Sequence, residues 1–146
     1  MPVVYTIGFT KKSLEQFIGS LRAAGIQWVI DIRLRNTSQL AGWSKCPDFA
    51  YLLREGFGLN YEHQPELAPT GELLDRYKKD GNWQSYQNDF NDLLRTRDPV
   101  HVARSILSRP AVCLLCTEPN PDNCHRRLVA EYLARVGGRD VVIEHL

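Results

Sequence analysis

The sequence predicts an α/β fold: a three-layer sandwich whose mainly parallel, Rossmann-like sheet of about five strands carries helices on both faces. Three observations predict it. Short β-branched and aromatic runs alternate along the chain with stretches of helical periodicity, the pattern of βαβ units. The runs at 28–32 and 111–116 are apolar almost throughout, as expected of strands covered on both sides. No repeat, low-complexity stretch or linker divides the 146 residues, which read as one domain spanning 1–146. A domain of this size buries roughly 70% of the surface its unfolded chain exposes.

Taken in order, residues 3–7 form a first strand closed by Gly8. Ser13 and Gln16 make a capping box, and Leu14, Phe17, Ile18 and Leu21 recur at helical spacing, so a helix is expected over 13–24 with Gly25 ending it. Residues 28–32 are the second strand. The following stretch, 33–47, is polar, cationic and aperiodic, and long loops of this kind are usually functional or disordered. Pro47 fits a first helical position ahead of a short helix that Gly56 ends. A brief third strand is expected at 59–61, then a proline-punctuated loop at 63–71. Three helices follow at 72–79, 83–95 and 100–107, punctuated by Gly81, Pro99 and Pro110. The strand at 111–116, a loop at 117–123, a helix from Cys124 ended by Gly137-Gly138, and a strand at 140–145 complete the order.

Composition excludes several classes. A net charge of +1 argues against a protein that coats nucleic acid or anionic membrane by bulk charge, so any anion site must be a local cluster. No apolar run approaches the roughly 20 residues that span a bilayer, and the first residues lack the pattern of a signal peptide. Four cysteines in a chain with a full core fit reduced thiols in a cytoplasm better than a secreted disulfide scaffold. The acceptor pattern Asn36-Thr37-Ser38 is empty in that setting.

A parallel sheet places the carboxyl ends of all its strands on one edge, where ligands bind. That rule gathers Thr6, Gly8 and Phe9 after the first strand and Asp31 and Arg33 after the second. It adds Tyr61 and His63 after the third, Cys116 and Glu118 after the fourth, and Cys124, His125 and Arg126 at the last helix start. Asp31 and Arg33 lie on one side of their strand, as a site pair or as an ion pair tying the strand to its loop. Cys113 and Cys116, three apart in a strand, point to opposite faces, so their C-x-x-C is no chelate, and Cys113 reads as a small buried hydrophobe. Cys124 in a first helical turn beside His125 and Arg126 is the candidate low-pKa thiol, or a cysteine that packs the loop. Glu118, stiffened by Pro119, is the candidate acid or base, or an acceptor for loop amides.

Arg126 at a helix amino terminus calls for a carboxylate or a bound anion. Arg33, Arg35, Thr37 and Ser38 could add anion contacts. No glycine-rich phosphate loop is present, and no Cys-x5-Arg loop either, since Ala130 stands six residues after Cys124 and Asp122 six after Cys116. A metal at Cys116, Cys124 and His125 is disfavoured, because neighbours in a helix diverge by about 100°. No metal ligand is therefore assigned, and the sequence names no cofactor.

The same residues carry a resemblance. TIGFTKKS, DIRLRNTSQLAG, PELAPT, CTEPNPDNCHRRLVAEYL and the closing His145-Leu146 resemble compact single-domain members of DUF488, the domain of unknown function 488. Many relatives carry His-Ser after the first TIG, where this chain has Phe9 and Thr10. The resemblance implies an α/β fold and a shared site at the Cys, Glu, His and Arg positions, and it carries over no reaction.

The reading that uses most of these residues is a cytoplasmic protein whose cleft takes an anionic small molecule or nucleotide-like ligand, as an enzyme. Asp31, Cys116, Glu118 and Cys124 would do the chemistry. Thr6, Gly8, Arg33, Arg35, Tyr61, His125 and Arg126 would bind. One alternative is a non-catalytic nucleic-acid-binding module that grips single strands through Trp43, Trp83 and Tyr86. The other is a metal protein built on Cys116, Cys124 and His125.

Overall fold

Strands Val3–Gly8 (β1), Trp28–Asp31 (β2), Asn60–His63 (β3), Val112–Cys116 (β4) and Val142–His145 (β5) form one sheet in the order β3-β2-β4-β1-β5. Every pairing is parallel. The computed structural model describes residues 2–37, 42–118, 120–138 and 140–146. Ser38 and Pro119, named above as an anion contact and a loop stiffener, lie outside them.

The helices are Leu14–Ala23 (α1), Asp48–Tyr51 (α2), Gly71–Asp80 (α3), Trp83–Arg97 (α4), Val100–Leu107 (α5) and His125–Gly137 (α6). Side-chain caps start three of the six. Ser13 and Gln16 form the expected capping box on α1, with bonds of 3.1 and 2.9 Å. Thr70 and Asn82 cap α3 and α4 by accepting from the backbone N–H of Leu73 and Ser85. Gly81 ends α3 at φ 62°, a conformation that suits a residue without Cβ.

Several boundaries differ from expectation. Pro47 is the N-cap of α2 and not its first residue, and the chain continues from α2 into a π-turn over Leu52–Gly56. Ala111 has φ 52°, so β4 begins one residue later, at Val112. Helix α4 runs on to Arg97, where Asp98 takes the left-handed cap. Cys124 is the extended N-cap of α6, outside the helix itself.

Alternation along the strands divides the core in two. Cys113 and Leu115 of β4 pack with Ile7, Val29, Phe17 and Leu21 on the α1/α2 side. Val112 and Leu114 pack with α4, α5 and α6, through residues such as Phe90, Ile106 and Leu133, on the other. Strands β1 and β2 therefore lead into helices on one face, while β3 and β4 lead to the opposite face. The central strand β4 lies between β1 and β2, so its carboxyl end is where neighbouring connections part, the position at which open α/β sheets form a crevice.

Candidate functional site

At this edge the fold brings together part of the expected set. Gly8 stands beside Cys116 and Asp31 beside Leu115 in the parallel register. A cleft of about 620 Å³ opens there. Cys116, Cys124 and His125 lie along it, each at most 6% exposed. Phe9, Tyr77, Trp83 and Tyr86 supply aromatic surface, and Lys11, Lys12, Arg35 and Lys78 line it with positive charge. Glu118 also faces it and is exposed.

At the centre, Cys116 Sγ sits 3.3 Å from His125 Nδ1. His125 Nε2 is 2.8 Å from the carbonyl oxygen of Ile32, which can only accept, so Nε2 carries a proton and donates it. Nδ1 is thereby the unprotonated nitrogen, and the nearer of the two to Cys116 Sγ, which lies 3.9 Å from Nε2. The Phe90 ring packs against the imidazole in a T-shaped contact, 5.5 Å between centroids. The Cys116, Cys124 and His125 ligand atoms all lie within 4.8 Å of one another. The divergence argued for a helical Cys-His pair does not apply, because Cys124 is extended at φ −134°, ψ 140°.

The two thiols are not equivalent. Burial pushes Cys116 up, but donation from the Cys124 thiol and the backbone N–H groups of Thr117 and Glu118, with the nearby Arg126 guanidinium, brings it below its ordinary value. Burial raises Cys124, and its bond to Cys116 raises it further. The lowered thiol is thus Cys116 and not Cys124, which burial raises and which donates to its neighbour.

Other expected site residues take structural places. Asp31 is fully buried and does not reach the cleft. Arg33 grips it through Nε at 2.9 Å and Nη2 at 2.8 Å, and Tyr61 donates to the same carboxylate at 2.5 Å. Burial raises the Asp31 carboxyl, and the Arg33 and Tyr61 bonds more than offset it, leaving it below its ordinary value. Arg33 also donates to the Ser44 carbonyl and lies between the rings of Phe9 and Phe49, at 5.3 and 5.4 Å. This is the ion pair tying strand to loop. Asp31 and Tyr61 do not line the cleft, and Arg33 touches the cleft wall while committed beneath it.

Arg126 is also fully buried. Its guanidinium donates to Thr6 Oγ1 at 3.2 Å and to the backbone carbonyl of Glu118. It secures the loop after β4 to β1 from below and does not line the cleft. Gly8 acts with it: a Cβ there would overlap the Glu118 carbonyl and the Arg126 guanidinium. Thr6, expected to bind ligand, bonds instead to Arg126 and to His145 Nδ1. Arg35 lines the cleft and pairs with Asp75 at 3.3 Å.

A family model for the Domain of unknown function DUF488 matches residues 13–133. The chain belongs to the DUF488 family. That span of the DUF488 match holds Cys116, Glu118, Cys124, His125 and Arg126, while the TIGF stretch and His145-Leu146 fall outside it. No curated protein and no solved structure matches this DUF488 chain. Among its described residues, no helix is long and apolar enough to cross a membrane.

Sequence reasoning passed over Lys11, Lys12, Tyr77 and Lys78. Each comes from a loop or helix whose place over the cleft depends on strand order, which periodicity does not reveal. Trp83 and Tyr86 were singled out for stacking and do face the cleft, with ring centroids 5.2 Å apart. Trp43 does not join them. Its ring packs among Phe9, Phe17 and Phe49 at 5.0 to 6.0 Å.

Proposed function

We propose that this DUF488 protein is an enzyme that binds a nucleotide-like anion in the cleft and does its chemistry at the Cys116–Cys124–His125 centre. The observation that carries this is one cleft with three kinds of surface: two thiols and an imidazole at its base, an aromatic wall, and a cationic rim. Trp83 and Tyr77 offer stacking faces for a planar base. Lys11, Lys12 and Lys78 offer charge for phosphate or carboxylate oxygens. Of these, Lys12 is partly engaged, donating to the Gly8 carbonyl at 2.7 Å. Glu118, exposed at the mouth, is the group positioned to move a proton between ligand and solvent. The base of the cleft offers a thiol for covalent chemistry or a ligand set for a soft cation, and either puts the reactive point at one spot.

The nucleic-acid-binding reading has less support, because Trp43, one of its three stacking residues, is half-buried and packed against the rings of Phe9, Phe17 and Phe49. Thermal-shift titration with nucleoside mono- and diphosphates, against inorganic phosphate, tests the proposal. A rise in Tm with the nucleotides is expected, lost in Trp83→Ala and weakened in Lys11→Ala. No rise with any nucleotide, or an unchanged rise in Trp83→Ala, would overturn it.

A further inference from the structure

We infer that Cys116, Cys124 and His125 form a three-ligand site for Zn²⁺ whose fourth position faces the cleft. The inference rests on the cleft reading above and names the reactive group at its base. Three independent features carry it.

The first is spacing. Bond lengths of about 2.3 Å to sulfur and about 2.0 Å to nitrogen give a ligand tetrahedron with edges of about 3.5 to 3.8 Å. Cys116 Sγ and His125 Nδ1 are 3.3 Å apart, and all three ligand atoms lie within 4.8 Å of one another. Side-chain rotation, the imidazole's included, would bring the three atoms to that spacing. The second is the imidazole. A metal-binding histidine characteristically donates its other N–H to a carbonyl or carboxylate, which fixes the tautomer and aims the lone pair. His125 does this through Nε2 to Ile32, which leaves Nδ1 with its lone pair and as the nitrogen nearer to Cys116 Sγ. The third is charge. Binding Zn²⁺ releases the two thiol protons to solvent, so the ion, two thiolates and a neutral imidazole sum to zero. A buried pocket holds a neutral cluster far more readily than an isolated ion.

The count of ligands identifies the kind of site. Among the described residues, no fourth His, Cys, Asp or Glu joins the three. Structural zinc sites close with four protein ligands, whereas catalytic ones use three and keep a position for water or substrate. All three residues line the cleft, so that position opens toward the bound anion. Two soft sulfurs favour zinc over magnesium or calcium, which prefer oxygen.

Titrating the purified full chain with Co²⁺ and Zn²⁺ tests this. A single Co²⁺ per chain is expected, with a thiolate-to-cobalt charge-transfer band and the visible absorption of a four-coordinate site, both erased by one equivalent of Zn²⁺. Cys116→Ser and Cys124→Ser should abolish the charge-transfer signal or halve it, and His125→Ala should weaken binding by about tenfold or more. Cys113→Ser, on the opposite face of β4, should leave it intact. Adding azide to the cobalt form should shift the visible bands, reporting the open position. No stoichiometric cobalt binding by the wild-type chain overturns the metal site, whatever the variants do. A loaded site blind to azide overturns its open position. Nucleotide-induced stabilisation that persists in chelator-treated protein without cobalt binding would remove the metal and leave the cleft reading standing.

Discussion

The two faces of the sheet use similar residues to opposite ends. On the α1/α2 face, the polar groups at the strand ends satisfy one another: Asp31 takes Arg33 and Tyr61, Cys46 meets the Tyr61 hydroxyl at 3.0 Å, and aromatic rings enclose the guanidinium. On the α4/α6 face, a ladder of rings from Phe90 through Tyr86 to Trp83 runs out to the cleft, and Cys116 meets Cys124 and His125 there. Cys113 and Cys116, three apart on β4, mark the divide. Burial alone drives the Cys113 thiol far up, against a small opposing effect from Arg126. Cys116, equally enclosed, has donors around it and goes the other way. A residue's chemistry here follows from the side of the sheet it points to.

Substitutions can break this contrast, and the largest effects come from the rings. Phe17 and Phe90 are both fully buried, one on each face. Truncating either to Ala should cost about 3–5 kcal/mol in urea unfolding. Only Phe90→Ala should also weaken binding at the cleft, since its ring steadies His125. Equal effects on binding from both would erase the distinction.

Nearly as large is the loss of the buried ion pair. Asp31→Asn leaves the Arg33 guanidinium without its carboxylate and should cost about 3–5 kcal/mol at neutral pH. The Asp31 carboxyl lies below its ordinary value when folded, so its contribution is fully present above the unfolded value of about 3.9. It is lost as pH falls through the folded value. The gap in stability between wild type and Asp31→Asn should therefore be flat near neutrality and shrink in acid, and a gap widening below pH ~4 would contradict the pairing.

The smallest effect sharpens the comparison. Cys113→Ala should lower stability by about 1 kcal/mol and leave nucleotide stabilisation unaltered, checked by unfolding and thermal shift together. A change in ligand response would mean that the faces communicate.

Much of this was legible in the residues. Apolar runs gave β2 and β4, Ser13 and Gln16 gave α1, and alternation separated Cys113 from Cys116. Parallel strands then predicted that distant segments meet at one edge. Roles within that edge were harder to read. Asp31, Arg33 and Arg126 look like site groups in sequence because burial depends on what packs over them, and that information lies in other segments. Cys124 was misplaced by a single position, yet the step from first helical residue to N-cap turned a divergent pair into a convergent one.

Gly8 has a consequence for how this fold could be retargeted. With no side chain there, the backbone after β4 lies directly on β1 with no slack beneath it. The floor is in effect a fixed casting, tolerant of little revision. Lys78 and Trp83 stand on the wall, carried by α3 and α4 and not by that casting. Exchanging them would alter which molecules are admitted while sparing the foundation, so diversity among proteins sharing this floor should concentrate in the wall.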